Sequence, residues 1–269
     1  MKIAAVQLNT GEDRLANISI ATNYIDSAVK EGADFIVLPE YVDFLGEEND
    51  QLNLGEHIPG EMTALFAKKA KEHGVYLHCG SIREKSEDGT IYNSSILFDQ
   101  NGEVIAKYRK IHLYDAVFED RVLEKESTYI TSGDEVVVAE TEFGKVGLTI
   151  CYDLRFPELF RSLALKGAKV IFVPAAFPSY TGANHWEVLL RARAIENQCY
   201  IVAAAQVGSA KPNRTLYGNS MIIDPWGTVV SRINEKEGII LYDIDMNYLE
   251  EVRKNLPCLS HRKPEAYTL

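Results

Sequence analysis

Very little in this 269-residue sequence suits a membrane, a disulfide framework, a metal or a nucleic acid. No apolar run approaches the roughly 18 residues needed to cross a bilayer. The opening MKIAAVQLNTGED is broken by Gln7, Asn9, Glu12 and Asp13 before a signal-like stretch can develop. The four cysteines, Cys79, Cys151, Cys199 and Cys258, form no CxxC pair, and a chain of this length can bury a core without covalent staples. The six histidines contain no HxH or HExxH arrangement, so no metal is expected. Positive charge is also scarce. With 28 Lys and Arg against 39 Asp and Glu, the formal charge is -11, which repels a phosphate backbone. The one basic group, Arg253 and Lys254 with Arg262 and Lys263, is short and C-terminal. A cytoplasmic protein with reduced thiols, bound to neither nucleic acid nor membrane, is expected.

What is present is an α/β pattern. The stretch KIAAVQL reads as a buried strand, Ile18, Ala21, Ile25, Ala28 and Val29 share one helical face, and DFIVLPE follows Gly32 as a second strand. A helix over roughly 61–73 leads through Gly74 to VYLHCGS, and YNSSILFD and EVIAKYRK flank QNGE as a hairpin. Residues 111–134 have no clean period and read as a loop with a short helix over a site. Beyond them come KVGLTI, a helix over 157–166, AKVIFVP, a helix over about 184–197, CYIVAAAQ and the polar loop VGSAKPNRTLYG. NSMIID and GTVVSRI meet at the turn DPWG, and GIILYDID closes the pattern. Strands outnumber helices by roughly two to one, which suggests two sheets. No linker, repeat or low-complexity segment divides the chain, so residues 1–269 read as one domain. The tail 246–269 carries Leu249, Val252, Leu256 and Leu259 at near-helical spacing, a stripe that must pack on the core or on a partner.

Three polar residues share one kind of position. Glu40 follows IVLP, Lys110 follows YR and Cys151 follows GLTI, each at the end of a strand-like segment, where ligands gather in α/β folds. A carboxylate, an ammonium and a thiol brought together can perform acyl transfer: the carboxylate takes the thiol proton and the ammonium holds the oxyanion. Taken singly, each has a plainer reading, Cys151 as a small core residue and the other two as solvated strand ends.

Three motifs link them. VLPE at 37–40, YRKIHL at 108–113 and CYDLRFPE at 151–158 resemble, in order and spacing, the signatures of the carbon-nitrogen hydrolase, or nitrilase, superfamily. HWEVLLRARAIENQCYIVAAAQ and YGNSMIIDPWGTVV are similar to its Nit-type amidases, the branch of deaminated glutathione amidase and omega-amidase. The resemblance implies a four-layer αββα sandwich and a cofactor-free triad of Glu40 as general base, Lys110 as oxyanion holder with the Tyr152 backbone N–H, and Cys151 as nucleophile. It also implies a second glutamate in the loop after the lysine. The ES pair there is matched by Glu126 and Ser127, whereas Glu119 and Glu124 read as loop-surface charges. The expected substrate is a small-molecule amide, deaminated glutathione or the ω-amide of a 2-oxo acid, with ammonia leaving from a terminal carboxamide. Hydrolysis of an N-carbamoyl amine or amino acid on the same triad, and a non-enzymatic interaction protein on the same fold, are the rival readings. The family commonly pairs sandwiches, so a homodimer or larger homo-oligomer is expected.

The remaining polar and aromatic residues have two readings each. Asp153, Arg155 and Glu158 read as structural support, an ion-pair and capping cluster around the turn and the helix start at Pro157. Tyr41, Phe177, Tyr180, His185 and Trp186 stand after strand ends, where pocket walls and core lids both occur. His112 could suggest a Cys-His dyad, but a glutamate base leaves it no task, and it reads as a packing residue. The loop AVFEDRVLEKESTYI is acidic and departs from the nearest amidase branch, and VGSAKPNRTLYG offers no evident carboxylate clamp.

Overall fold

The computed structural model describes residues 1–46, 55–118, 121–211 and 214–266. Its first sheet holds β1 (Lys2–Gln7), β2 (Phe35–Val37), β3 (Tyr76–His78), β4 (Ile82–Lys85), β5 (Ile91–Phe98), β6 (Val104–Arg109) and, at the other end of the chain, β17 (Gly238–Asp243). The strand order is β17-β1-β2-β3-β5-β4, and β6 also pairs with β5. β1, β2 and β3 run parallel and the rest antiparallel. The second sheet has the order β16-β15-β12-β11-β10-β9. It comprises β9 (Val138–Thr141), β10 (Gly144–Leu148), β11 (Val170–Phe172), β12 (Tyr200–Ala203), β15 (Met221–Ile223) and β16 (Val229–Arg232).

Alternation along each strand explains why these sheets stack. Ile3 and Ala5 of β1, Phe35 and Val37 of β2, Tyr76 of β3 and Leu97 of β5 join a core shared with Leu148, Val170, Phe172, Tyr200 and Val202 of the second sheet. Their neighbours Ala4, Val6, Ile36, Leu77, Ile96 and Phe98 face the other way, into a core with α1 (Arg14–Lys30) and α2 (Glu61–His73). Strands covered on both faces are apolar throughout, and period two then divides them between two cores. On the far side, α3 (Pro157–Leu165) and α4 (Ser179–Asn197) cover the second sheet with Leu159, Phe160, Leu163, Trp186, Leu190 and Ala194. The result is the expected αββα sandwich. Among the described residues no helix is long and apolar enough to cross a membrane.

Three segments differ from the sequence reading. The stretch after Lys110 is mostly a hairpin of β7 (Asp115–Phe118) and β8 (Arg121–Lys125), followed by a short 3-10 helix, Glu126–Thr128. Its irregular period comes from a register shift between Ala116 and Val117. The stretch read as a polar loop is a second hairpin, β13 (Val207–Lys211) and β14 (Arg214–Tyr217). Helix α4 begins at Ser179, five residues before the expected start at 184, its first turn opened by the Gly182 amide donating to the Pro178 carbonyl. The tail's α5 (Met246–Asn255) lies on its own chain: Leu249 and Val252 are buried, Leu259 packs against the hydrophobic core around the second sheet and Leu256 is half exposed. Arg253 fixes it by donating to the carbonyls of Gln198 and Ala168.

Candidate active site

Two sheet edges meet at the site. Glu40 lies three residues beyond β2, Lys110 follows β6, and Cys151 opens a 3-10 helix (Cys151–Arg155) after β10. Glu40, Lys110 and Glu126 are each about 2% exposed and Cys151 about 6%. The Lys110 ammonium donates to Glu40 Oε1 at 2.9 Å and to Glu126 Oε2 and Oε1 at 2.9 and 3.2 Å. Glu126 also accepts from the Tyr41 hydroxyl at 2.7 Å and the Tyr114 amide at 2.7 Å. Glu40 Oε2 accepts from the Ala176 amide at 2.8 Å, and the Glu40 carboxylate receives the Cys151 thiol hydrogen bond.

Backbone constraints put these groups in place. Cys151 has φ +46°, a left-handed conformation that costs a non-glycine residue about 1–2 kcal/mol and turns its side chain off the strand into the cavity. Its amide donates to the Pro174 carbonyl, which fixes the turn. Tyr41 is likewise left-handed, at φ +54°. Two glycines permit close approach: a Cβ at Gly80 would stand 1.9 Å from the Pro39 carbonyl oxygen, and one at Gly133 would stand 2.3 Å from that of Arg109. Side chains there would displace the residues just before Glu40 and Lys110.

The electrostatics favour a neutral thiol beside a full ion-pair network. Burial pushes the Cys151 thiol well above its usual range, and the Glu40 carboxylate adds to this while Lys110 opposes it. Burial disfavours the Lys110 ammonium, yet Glu126 and Glu40 outweigh burial and hold it charged far above the ordinary lysine range. For Glu126 burial acts upward, and Lys110, the Tyr114 amide and Tyr41 bring the carboxyl below its ordinary value. A buried thiol with a carboxylate acceptor and an ammonium within reach of the same space can add to a carbonyl and have the resulting oxyanion neutralised. The Tyr152 amide stands in the first turn of the 3-10 helix, where N–H groups have no intrahelical acceptor. The other thiols are placed differently. Cys79 and Cys199 are buried and pushed by burial to about 12 and about 11, and Cys258 is exposed.

The cavity has two parts. An inner chamber of about 20 Å³ is lined by Glu40, Lys110, Glu126 and Cys151 with Tyr41, Leu45, Ala176 and Phe177. An outer chamber of about 280 Å³ is lined by Asp115, Ala116, Val117, Thr181 and His185, and the two share Tyr114, Tyr152 and Arg155. Tyr41 and Phe177 are thus in the inner wall and His185 in the outer. Trp186 is in neither: it is fully buried behind Phe177, with ring centroids 5.0 Å apart, and its indole N–H donates to the Asn219 carbonyl. Tyr180 is absent from both walls because it falls in the first turn of α4 and points outward, 68% exposed.

The cluster around the nucleophile turn also differs from expectation. Asp153 is fully buried and accepts from the Tyr108 hydroxyl, the Ile150 and His112 amides and the His112 Nδ1. His112, so tied and stacked at 3.6 Å on Phe156, is a packing residue. Arg155 and Glu158 make no ion pair with Asp153 or each other. Glu158 is exposed in the first turn of α3, where a negative charge suits the helix dipole. Arg155 turns instead into the cavity wall, over the rings of Phe177 and Tyr152 at 5.0 and 5.7 Å, and donates to His185 Nδ1 at 3.1 Å. Glu119 and the Glu124 side chain lie outside the described residues. Sequence reasoning passed over Asn93, in β5, which donates to both Glu40 and Glu126. The only signal for it was a polar residue in YNSSILF at a position that shares a face with Leu97, which points into the sandwich.

Comparison with known proteins agrees with this chemistry. Residues 2–254 match the carbon-nitrogen hydrolase family, and the chain belongs to it as a cysteine-dependent amidohydrolase of the nitrilase superfamily. Within the family the chain is similar to deaminated glutathione amidase of Homo sapiens, 42% identical over 272 residues that take in 98% of this chain and 83% of the human one. It is 40% identical over 263 residues to the enzyme of the same name from Synechocystis sp., covering 96% and 97% of the two. The crystal structure of the C. elegans NitFhit protein superposes with a TM-score of 0.92 at 37% identity, over 99% of this chain and 66% of that one. Saccharomyces cerevisiae Nit3, of branch 10 of the nitrilase superfamily, gives 0.89 at 32% identity over 99% and 97%.

Proposed function

We propose that the protein hydrolyses an amide of a small carboxylic acid, with Cys151 as the nucleophile, Glu40 as the base, Lys110 as the oxyanion holder and Glu126 as the anchor of Lys110. The observation that carries this reading is a single ammonium shared by two buried carboxylates, one of which accepts the hydrogen bond of the Cys151 thiol. Glu40 takes that proton as sulfur bonds to the amide carbon. The oxyanion forms where the Lys110 ammonium and the Tyr152 amide meet it, replacing the longer 3.2 Å contact between Lys110 and Glu126 Oε1. Collapse breaks the C–N bond, and the nitrogen leaves with the proton carried by Glu40. Water, deprotonated by Glu40, then splits the thioester and the proton returns to sulfur.

The two chambers support an acid amide with a charged body. The inner space holds little more than the reacting group, so the rest of a substrate extends past Arg155. Among the described residues the Arg155 guanidinium has no carboxylate partner, and a substrate carboxylate would complete it. Deaminated glutathione and the ω-amide of a 2-oxo acid both fit. They differ in leaving group, because the amide bonds of deaminated glutathione are N-substituted and release an amine, whereas a terminal carboxamide releases ammonia. Both products should therefore be measured over a panel of these two substrates, a neutral amide of equal size and an N-carbamoyl amino acid. The expected result is turnover of the anionic amides, lost in C151A. Carbon dioxide from the carbamoyl substrate as the main activity, or turnover surviving in C151A, would overturn the proposal.

We also propose a homodimer or larger homo-oligomer. Among the described residues the tail offers no apolar face for this, since Leu249 and Val252 are covered by the chain itself, but α4 does. There Val188 and Ile195 remain exposed beside Trp226, joined by the Arg191 bond to the Gly227 carbonyl. Light scattering over a concentration series should give at least twice the chain mass at micromolar protein. A monomer throughout, with a concentration-independent Tm, would refute it.

A further inference from the structure

We infer that Asn93 is a positioning residue of the active site, the neutral donor that sets two like-charged carboxylates in different roles. The inference rests on the catalytic assignment proposed above. Asn93 is fully buried in β5, and its side-chain amide donates one N–H to Glu40 Oε1 at 3.0 Å and the other to Glu126 Oε1 at 3.2 Å. Its backbone carbonyl accepts from the Lys110 amide at 2.9 Å. One residue thereby touches the base, the anchor and the oxyanion holder.

The physical need is plain. Two buried carboxylates beside one ammonium leave a surplus negative charge, and such charges persist in a protein interior only where further donors satisfy them. Glu126 finds these donors in Tyr41 and the Tyr114 amide. Among the described residues Glu40 accepts from Lys110, Asn93 and the Ala176 amide besides the thiol. Lys110 and Asn93 both occupy Oε1, and the Ala176 amide, which faces Oε2, also faces the Cys151 sulfur. Oε2 is therefore the oxygen left to exchange a proton with sulfur, with the amide nitrogen and with water. Asn93 favours this arrangement without bringing a charge of its own. An aspartate there would add a third carboxylate, and a lysine would compete with Lys110. Filling Oε1 with a neutral donor holds the carboxylate plane still while the ammonium turns toward the oxyanion.

The test compares Asn93→Ala and Asn93→Asp with wild type in the full-length protein, using whichever amide the substrate panel identifies. N93A should lower kcat by about tenfold to a hundredfold, in the range of one lost preorganising hydrogen bond, with KM changed by less than about threefold. The acid limb of its kcat/KM profile should move to higher pH, because a donor that favours the charged carboxylate has gone. N93D should lose more than N93A despite its closer shape. A purely structural role would lower Tm and the active fraction and leave the pH limb where it was. If neither variant folds, Asn93→Ser, which is small, neutral and keeps a donor, decides by the same two readouts. Wild-type kcat with an unmoved acid limb in the folded variant overturns the inference. Failure of the underlying assignment is distinguishable, since it would appear as activity in C151A or K110A.

Discussion

Strand β6 and the residue after it, KYRK at 107–110, carry two cationic sites that share a sequence but have opposite fates. Lys107 and Arg109 point to the outer face of the sheet and bind Glu84 at 2.7 Å each, their side chains 37% and 33% exposed. Tyr108 and Lys110 point into the sandwich, where Tyr108 holds Asp153 and Lys110 holds Glu40 and Glu126. Alternation alone separates them. The outer pair neutralises a carboxylate that is itself buried, and water reaches only the two cations. The inner lysine is about 2% exposed, so its charge is held by two carboxylates and faces the cavity where a reaction can use it. Composition is nearly the same at the two sites, and desolvation decides which one has chemical leverage.

Substitutions can break or sharpen that contrast. The largest effect should come from K110A, which removes the oxyanion partner and should lower kcat by about a hundredfold or more, with KM less affected; steady-state kinetics that show only a raised KM would contradict the role. E126Q should come next. It keeps the shape around Tyr41 and Tyr114 but removes a charge that holds Lys110, and kcat should fall severely while circular dichroism stays native. An active E126Q would mean that the anchor lies elsewhere. E84Q should leave kcat within about threefold and instead cost about 1–2 kcal/mol of stability, read from urea unfolding.

The pH dependence of that stability sharpens the comparison further. Partial burial acts upward on the Glu84 carboxyl, but the bonds from Arg109, Lys107 and Ser94 prevail and hold it at about 2. A carboxyl held lower in the folded chain than in the unfolded one, where it titrates near about 4.3, adds stability above that pH and loses it as pH falls toward about 2. Unfolding free energy should thus fall between pH 5 and 3 (roughly the span of this titration) in wild type, and fall less steeply in E84Q. An equal slope in the two proteins would show that Glu84 is not a source of the pH dependence. The smallest effect should be that of K107A, within about 0.5 kcal/mol in stability and without change in kcat, because Arg109 keeps two bonds to the same carboxylate.

The comparison with sequence divides along the same physical line. Positions at strand ends were legible because strands announce themselves by apolar runs and because PE, RK and CYD follow directly. Segments whose backbone pairs locally with a shifted register, such as β7–β8 and β13–β14, resemble loops in sequence. A bulge breaks the period on which the reading depends. Trp186 and Tyr180 lie away from the pocket wall because the helix starts earlier than its hydrophobic pattern. Five residues of helix turn a presumed wall into one buried and one outward side chain.

By itself the sequence determined the layers and the chemical types: apolar runs that demand cover on both faces, and a carboxylate, an ammonium and a thiol each released at a strand end. Only the tertiary structure decided which groups share a proton. It aligned the end of β2 with that of β10 across two sheets, removed water from Lys110, put Arg155 in the wall instead of an ion-pair cluster, and brought Asn93 between Glu40 and Glu126. The physical reason is range. Strand and turn propensities act over a few residues, whereas Glu40, Asn93, Lys110, Glu126 and Cys151 are joined only by the packing of two sheets face to face.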